Sequence, residues 1–170
     1  MAKKQTDSVK KIETPKAAPA TGYWLMKSEP DVFSVQDLKK NKTTLWEGVR
    51  NYQARNYMNG MQIGEKILFY HSSCEVPGIY GLATVSKKAI PDPTQFDKKS
   101  EYYEPKSAPE KPIWFCVEVQ FTEELKKAVT LEQIKNDKNL KDMLVIKKGQ
   151  RLSIQPVSEK DFLYLMKLGK

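Results

Sequence analysis

Apolar positions first cluster at Tyr23, Trp24, Leu25 and Met26, a run too short for a helix face and suited to a buried strand. Pro30 holds Glu29 extended just beyond it, so Lys27-Ser28-Glu29-Pro30 is expected to leave the sheet edge as an extended exit loop. The pattern then changes period. Ser34 with Asp37 three positions on, and apolar Phe33 and Leu38 at the staple positions, marks the start of a helix. The same signature recurs at Thr130 and Gln133, flanked by Val129 and Ile134, and at Ser158 and Asp161, flanked by Val157 and Phe162. Asn51 is a further N-cap candidate, for a helix through Tyr52, Gln53, Ala54, Arg55 and Asn56 to about Met58 that stops near Asn59-Gly60.

Residues 65–72, 78–90 and 112–121 are rich in β-branched and aromatic side chains, partly alternate, and are bounded by turn formers, which predicts the main strands. Cys116, Val117 and Val119 alternate imperfectly with Glu118 and Gln120, pointing to a curved sheet with one wet face. Residues 91–111 hold four prolines (Pro91, Pro93, Pro105 and Pro109), many charges and little periodicity, so a long mobile loop is expected there, of a length that often carries function. Residues 1–21 contain Lys3, Lys4, Lys10, Lys11 and Lys16 but almost nothing apolar, and are expected to form a disordered basic tail ahead of a single domain over 22–170. The architecture expected is a small, strongly bent, largely antiparallel sheet or open barrel with short helices over its ends.

Composition narrows the partners. With 170 residues and 39% hydrophobic content the chain can bury one sizeable core, and its net charge of +8 favours polyanions, nucleic acid or acidic lipid, as partners. Cys74 and Cys116 have no CxxC spacing and the N-terminus lacks an apolar leader core. Reduced thiols and a cytoplasmic protein, or a nuclear one if the source is eukaryotic, are therefore expected. No run approaches the roughly 18 apolar residues of a spanning helix, so no membrane partner is expected.

Catalytic and metal chemistry are poorly supplied. His71 is the single histidine, with no sequence partner for a zinc site or a nucleophile pair, and no Walker loop or GxGxxG is present. No catalytic residue, metal or cofactor is expected, and His71 by itself suits a strand-end imidazole satisfied by backbone hydrogen bonds. What the chain does carry is Trp46-Glu47-Gly48-Val49-Arg50-Asn51-Tyr52-Gln53-Ala54-Arg55-Asn56, an indole, two guanidiniums, carboxamides and phenol around one glycine. Of 29 lysines and arginines only Arg50, Arg55 and Arg151 are arginine, and two of them stand here. A guanidinium is a planar fork that grips phosphate or a base edge in two places and stacks on rings.

Planar and forked groups also stand where other elements end: Trp24 with Lys27 and Ser28, Tyr70-His71-Ser72, and Arg151 to Gln155 ahead of the last helix. If these ends converge, they form a cleft with aromatic walls and a cationic mouth, suited to stacking a nucleobase and holding its phosphate. Gly48, just ahead of a helix N-terminus, would let an anionic ligand approach closely. Taken singly, each residue has a plainer role: Gly48 in a tight turn, Trp46 in the core, Arg50 paired with an acid such as Glu47, and Arg151 and Gln155 anchoring the last helix. Trp114 suits the core, and Trp24 suits either place.

Tyr23-Trp24-Leu25-Met26-Lys27-Ser28-Glu29-Pro30, the segment from Trp46 to Asn56, Phe69-Tyr70-His71-Ser72 and Arg151-Leu152-Ser153-Ile154-Gln155-Pro156-Val157 together resemble the EVE domain, the thymocyte nuclear protein group included. The resemblance runs from Gly22 to Lys170. It implies an α+β, PUA-like fold, a bent and mostly antiparallel β-barrel with several short helices, and a reader of modified bases in DNA or RNA without a cofactor. The ligand-binding residues it implies are Trp24, Lys27, Ser28, Trp46, Gly48, Val49, Arg50, Asn51, Tyr70, His71 and Ser72, with Arg55, Arg151 and Gln155 beside them. The rival readings are a hydrolase or nuclease acting on the same nucleotides, with His71 or a carboxylate as base, and a module whose aromatic cleft holds a peptide.

Overall fold

The computed structural model describes residues 22–170; the basic tail expected over 1–21 lies outside the described residues. The first apolar run becomes β1 (Tyr23–Ser28), and the capped segments become α1 (Val35–Asn41), α2 (Tyr52–Gly60), α3 (Leu131–Asn136) and α4 (Glu159–Leu168). Each cap works as the local sequence predicts. Ser34 and Thr130 close reciprocal capping boxes with Asp37 and Gln133, and Ser158 and Asn51 accept the Asp161 and Ala54 amides. The remaining strands are β2 (Thr43–Leu45), β3 (Lys66–His71), β4 (Gly78–Pro91), β5 (Phe115–Thr130) and β6 (Ile154–Pro156).

These six strands form one mixed sheet in the order β2-β5-β4-β3-β1-β6, in which β1 and β3 are parallel and the other neighbours antiparallel. The sheet is bent but is not closed into a barrel, because β2 and β6, at its two ends, do not pair with each other. β1 is not an edge, and it carries Lys27 and Ser28 as strand residues rather than an exit loop, since β3 pairs with it through Ser28 and His71. β5 starts three residues later than expected and runs nine further, reaching the cap of α3. The three-residue β2 and β6 are too short to leave a periodic signal.

The centre of the sheet is dry on both faces, where one wet face was expected. Trp24, Met26, Ile67 and Phe69 join a core with Val35 and Leu38 of α1 and Ala54 and Met58 of α2. Leu25, Leu68 and Tyr70, which alternate with them, join a second core with Ile134 of α3 and Phe162 and Leu165 of α4. Parallel strands are generally covered on both faces, so the unbroken apolar runs of β1 and β3 are the sequence mark of this pair.

The segment between β4 and β5 was expected to be mobile, yet it is pinned. Asp92 caps a 3₁₀ turn over Pro93–Phe96, and the Gln95 carboxamide is fully buried. Gln95 donates to the carbonyls of Asp92 (2.9 Å) and Trp114 (2.7 Å) and accepts from the Ser107 hydroxyl (2.7 Å) and the Ile113 and Trp114 amides (3.0 Å each). One side chain thus ties the loop's start to its end. Gln95→Leu would leave the Ile113 and Trp114 amides without their acceptor in a buried site, each worth about 1–3 kcal/mol, while the Asp92 and Trp114 carbonyls keep backbone partners. The expected outcome is a loss of at least about 2 kcal/mol in urea unfolding, with faster hydrogen exchange at Ile113 and Trp114; an unchanged midpoint would show that the loop is held some other way.

Candidate nucleic-acid interface

Where the sheet fails to close, its two ends line a cavity of about 630 Å³. Thr44 and Leu45 of β2 form one side, Lys27 and Ser28 of β1 with Ser153 the other, and the chain from Trp46 to Asn51 the floor. Glu29, Val32, Phe33, Glu101 and Tyr102 complete the wall. The volume lies in the range of small-ligand pockets.

The floor is held by a carboxylate 44 residues away in sequence from Gly48. Asp92 accepts the Gly48 amide (2.8 Å), an Arg50 guanidinium N–H (2.9 Å), and the amide (2.8 Å) and hydroxyl (2.6 Å) of Thr94. Burial by itself pushes the Asp92 carboxyl up, but the bonds from Thr94, Gly48 and Arg50 outweigh it and hold it below the usual carboxylate range. Arg50 is spent in this frame. Besides Asp92 it donates to the Tyr102 carbonyl through Nε (3.1 Å) and Nη2 (2.6 Å), to Thr94 Oγ1 (2.9 Å) and to the Val49 carbonyl (3.0 Å). It therefore lines the cavity as a strut rather than as an open phosphate fork, and its acid partner is Asp92, not Glu47.

Gly48 has φ +82°, and a Cβ there would lie 2.8 Å from the Tyr102 ring. The glycine thus lets an aromatic ring from the β4–β5 loop lie against the floor, with the Arg50 guanidinium 5.4 Å from the ring centroid. Tyr102 and Phe33 are half-buried and present ring surface to the cavity. Trp46 also lines it but is only 8% exposed, most of its indole lying edge-on against Phe69 at 5.5 Å.

The structure brings together Lys27, Ser28, Trp46, Gly48, Val49, Arg50 and Asn51 of the expected site. It places the others elsewhere. Trp24 is 3% exposed, with its indole N–H on Glu65 (2.7 Å) and its ring against Tyr57, so it belongs to the core. Tyr70 faces the second core, the Ser72 amide donates to the Ser28 carbonyl, and Gln155 is buried in β6 with its amide on the Leu152 carbonyl. Arg55 binds the Ile113 carbonyl and Asn56 while stacking over Tyr52, and Arg151 is exposed outside the cavity. His71 accepts the Val35 amide on Nε2 (3.1 Å) and stacks on Tyr80 (4.3 Å), the strand-end imidazole weighed above.

A cationic mouth does not form. Three carboxylates, Glu29, Glu47 and Glu101, share the wall with Lys27 and the already paired Arg50. Lys27 has no carboxylate partner among the described residues; its ammonium lies 5.9 Å from the Tyr70 ring, and burial lowers its pKa. Asp92, Tyr102 and Glu101 escaped the sequence reading because they sit in the loop without periodicity; the one local signal was Pro91-Asp92-Pro93-Thr94, the composition of an Asx turn. No group of histidine, cysteine and acidic side chains that could hold a metal occurs among the described residues.

Asp92→Asn would leave the Arg50 guanidinium, about one-fifth exposed, without its countercharge. A loss of about 3–5 kcal/mol in equilibrium unfolding is expected. For His71, burial lowers the pKa, so the unfolded chain takes up a proton just below the ordinary value of 6.5 before the folded one does. Stability is then full above that value and falls as pH drops through it toward the lower folded-state value. A melting temperature that declines from pH 7.5 to 5.5, and declines less in His71→Gln, is expected; identical profiles would remove the imidazole as the cause.

Residues 22–168 match the family model of the EVE domain. Thymocyte nuclear protein 1 of Gallus gallus is 42% identical, the match covering 86% of this chain and 68% of the relative. A crystal structure of a Pseudomonas syringae protein is 41% identical with a TM-score of 0.84, covering 87% of this chain and 99% of that one. Human THYN1 protein, in a crystal structure with DNA containing 5-methylcytosine, is 42% identical with a TM-score of 0.81, covering 87% and 97%.

Proposed function

Because the chain belongs to the EVE domain family, we propose that it is a reader of modified nucleobases in DNA, taking a flipped base into the cavity between the ends of its sheet and leaving it chemically intact. The observation that carries this reading is the Tyr102 ring laid over Gly48 at a cavity with room for a nucleotide. The complex of the human relative with 5-methylcytosine DNA names the first base to try.

In this reading Tyr102 and Phe33 are the stacking walls, and the Trp46 edge closes the floor. Asn51 spends Oδ1 on capping α2, which leaves its amide nitrogen for a base or sugar acceptor. Phosphates stay outside, on Lys27 and the exposed lysines of the surface, where the net charge of +8 raises the encounter rate. Extruding the base costs a few kcal/mol, and stacking of about 1–3 kcal/mol per base offsets it.

Tyr102→Ala tests the reading, since the backbone carbonyl that holds Arg50 is kept. Fluorescence anisotropy with matched oligonucleotides should show affinity for the 5-methylcytosine strand falling about tenfold, with the unmodified strand nearly unaffected and the ligand recovered unaltered. Equal losses on both strands would rule out a base pocket at this cavity. RNA strands carrying the same base, run in parallel, decide the polymer.

A further inference from the structure

The acid lining of the cavity calls for a ligand edge that donates. A phosphate entering among Glu29, Glu47 and Glu101 would meet like charge, so the part of a nucleotide that enters is its base. Of the three carboxylates, Glu101 neighbours Tyr102, whose pKa is raised by burial first and then by the Glu101 charge. Glu47 makes no hydrogen bond or ion pair among the described residues, and burial, then the nearby Asp92 charge, raises its pKa. Its backbone is nonetheless fixed on both sides: the Trp46 amide is bonded to the Val117 carbonyl and the Gly48 amide to Asp92, each at 2.8 Å. The exposed Glu47 side chain thus starts from a fixed point on the cavity wall with its carboxylate uncommitted.

A donor stands two residues away. In the β2–β5 ladder the bonds from Phe121 N to the Lys42 carbonyl and from Trp46 N to the Val117 carbonyl mark Lys42 and Trp46 as bonded positions. By antiparallel alternation Leu45 is a non-bonded position, so its N–H and C=O turn away from β5, toward the open end of the sheet where the cavity lies. The site thus offers an N–H from Leu45 beside a carboxylate from Glu47. That order complements a ring nitrogen acceptor next to an exocyclic amine, the edge of cytosines and adenines. It opposes the N3–H and O4 of a keto pyrimidine at both places.

Building on the proposed reader function, we propose that Glu47 is the specificity-determining residue of the cavity, accepting the exocyclic amino group of the flipped base while the Leu45 amide donates to the adjoining ring nitrogen. The site admits amino-bearing bases and rejects keto pyrimidines that carry the same methyl group. No covalent step is involved.

The test compares duplexes with 5-methylcytosine, cytosine or thymine opposite an abasic site, so that no base pair biases extrusion. The wild-type protein is expected to bind 5-methylcytosine about tenfold or more tightly than thymine. Glu47→Gln, whose amide can also donate to O4, should bring the two within about threefold at an unchanged melting temperature, and Glu47→Ala, which removes both the acceptor for the amine and the repulsion of O4, should narrow the gap chiefly by weakening 5-methylcytosine. Glu29→Gln and Glu101→Gln should keep the preference. Retained preference in Glu47→Gln, or its loss in Glu101→Gln instead, overturns the assignment to Glu47 while the reader function stands. A wild-type protein that binds all three duplexes equally removes both.

Discussion

The buried carboxylate of Asp92 is the constraint on which the floor of the cavity depends. A charge in a dry site is tolerable only when donors surround it, and this one takes four hydrogen bonds, from the Gly48 amide, the Arg50 guanidinium and both donors of Thr94. Those bonds fix three things together. Gly48 is held in its left-handed turn, Arg50 is oriented so that its other donors reach Tyr102, and the start of the β4–β5 loop is set so that Gln95 can tie down its end. Buried ion pairs are weak sources of net stability compared with apolar packing, so the gain is chiefly geometric: a cavity whose aromatic wall stands ready in the absence of ligand.

Local physics made much of the fold legible in the sequence. The four helix starts depend on contacts three or four residues apart, and Ser34, Asn51, Thr130 and Ser158 all cap as their sequences dictate. The central strands were visible as apolar runs, but their coverage on both faces was not, because a short run reads alike in a wet and a dry sheet until its partner strand is known. Closure into a barrel was equally out of reach. It depends on whether β2 and β6 meet, and each is only three residues long.

The site was legible by segment and not by atom. The stretch around Gly48 does form the cavity floor, and Lys27 and Ser28 join it across the gap. What the sequence could not tell is how each polar group is spent: Arg50 has the composition of a phosphate fork, yet its donors are consumed by residues more than 40 positions on. Trp24 and Trp46 look alike in the chain, but Trp24 finds Glu65 across the core and only Trp46 keeps an edge on the cavity. Side-chain identity sets what a group can bond, and tertiary distance decides what it does bond.

The brevity of β2 and β6 bears on more than the cavity between them. Unpaired strand edges are templates on which a second chain can add, and the risk of runaway aggregation grows with the length of free backbone displayed. Here each of the two end strands of the sheet spans three residues. The end strands of a sheet left open to admit a ligand are by their brevity poor seeds for fibre growth.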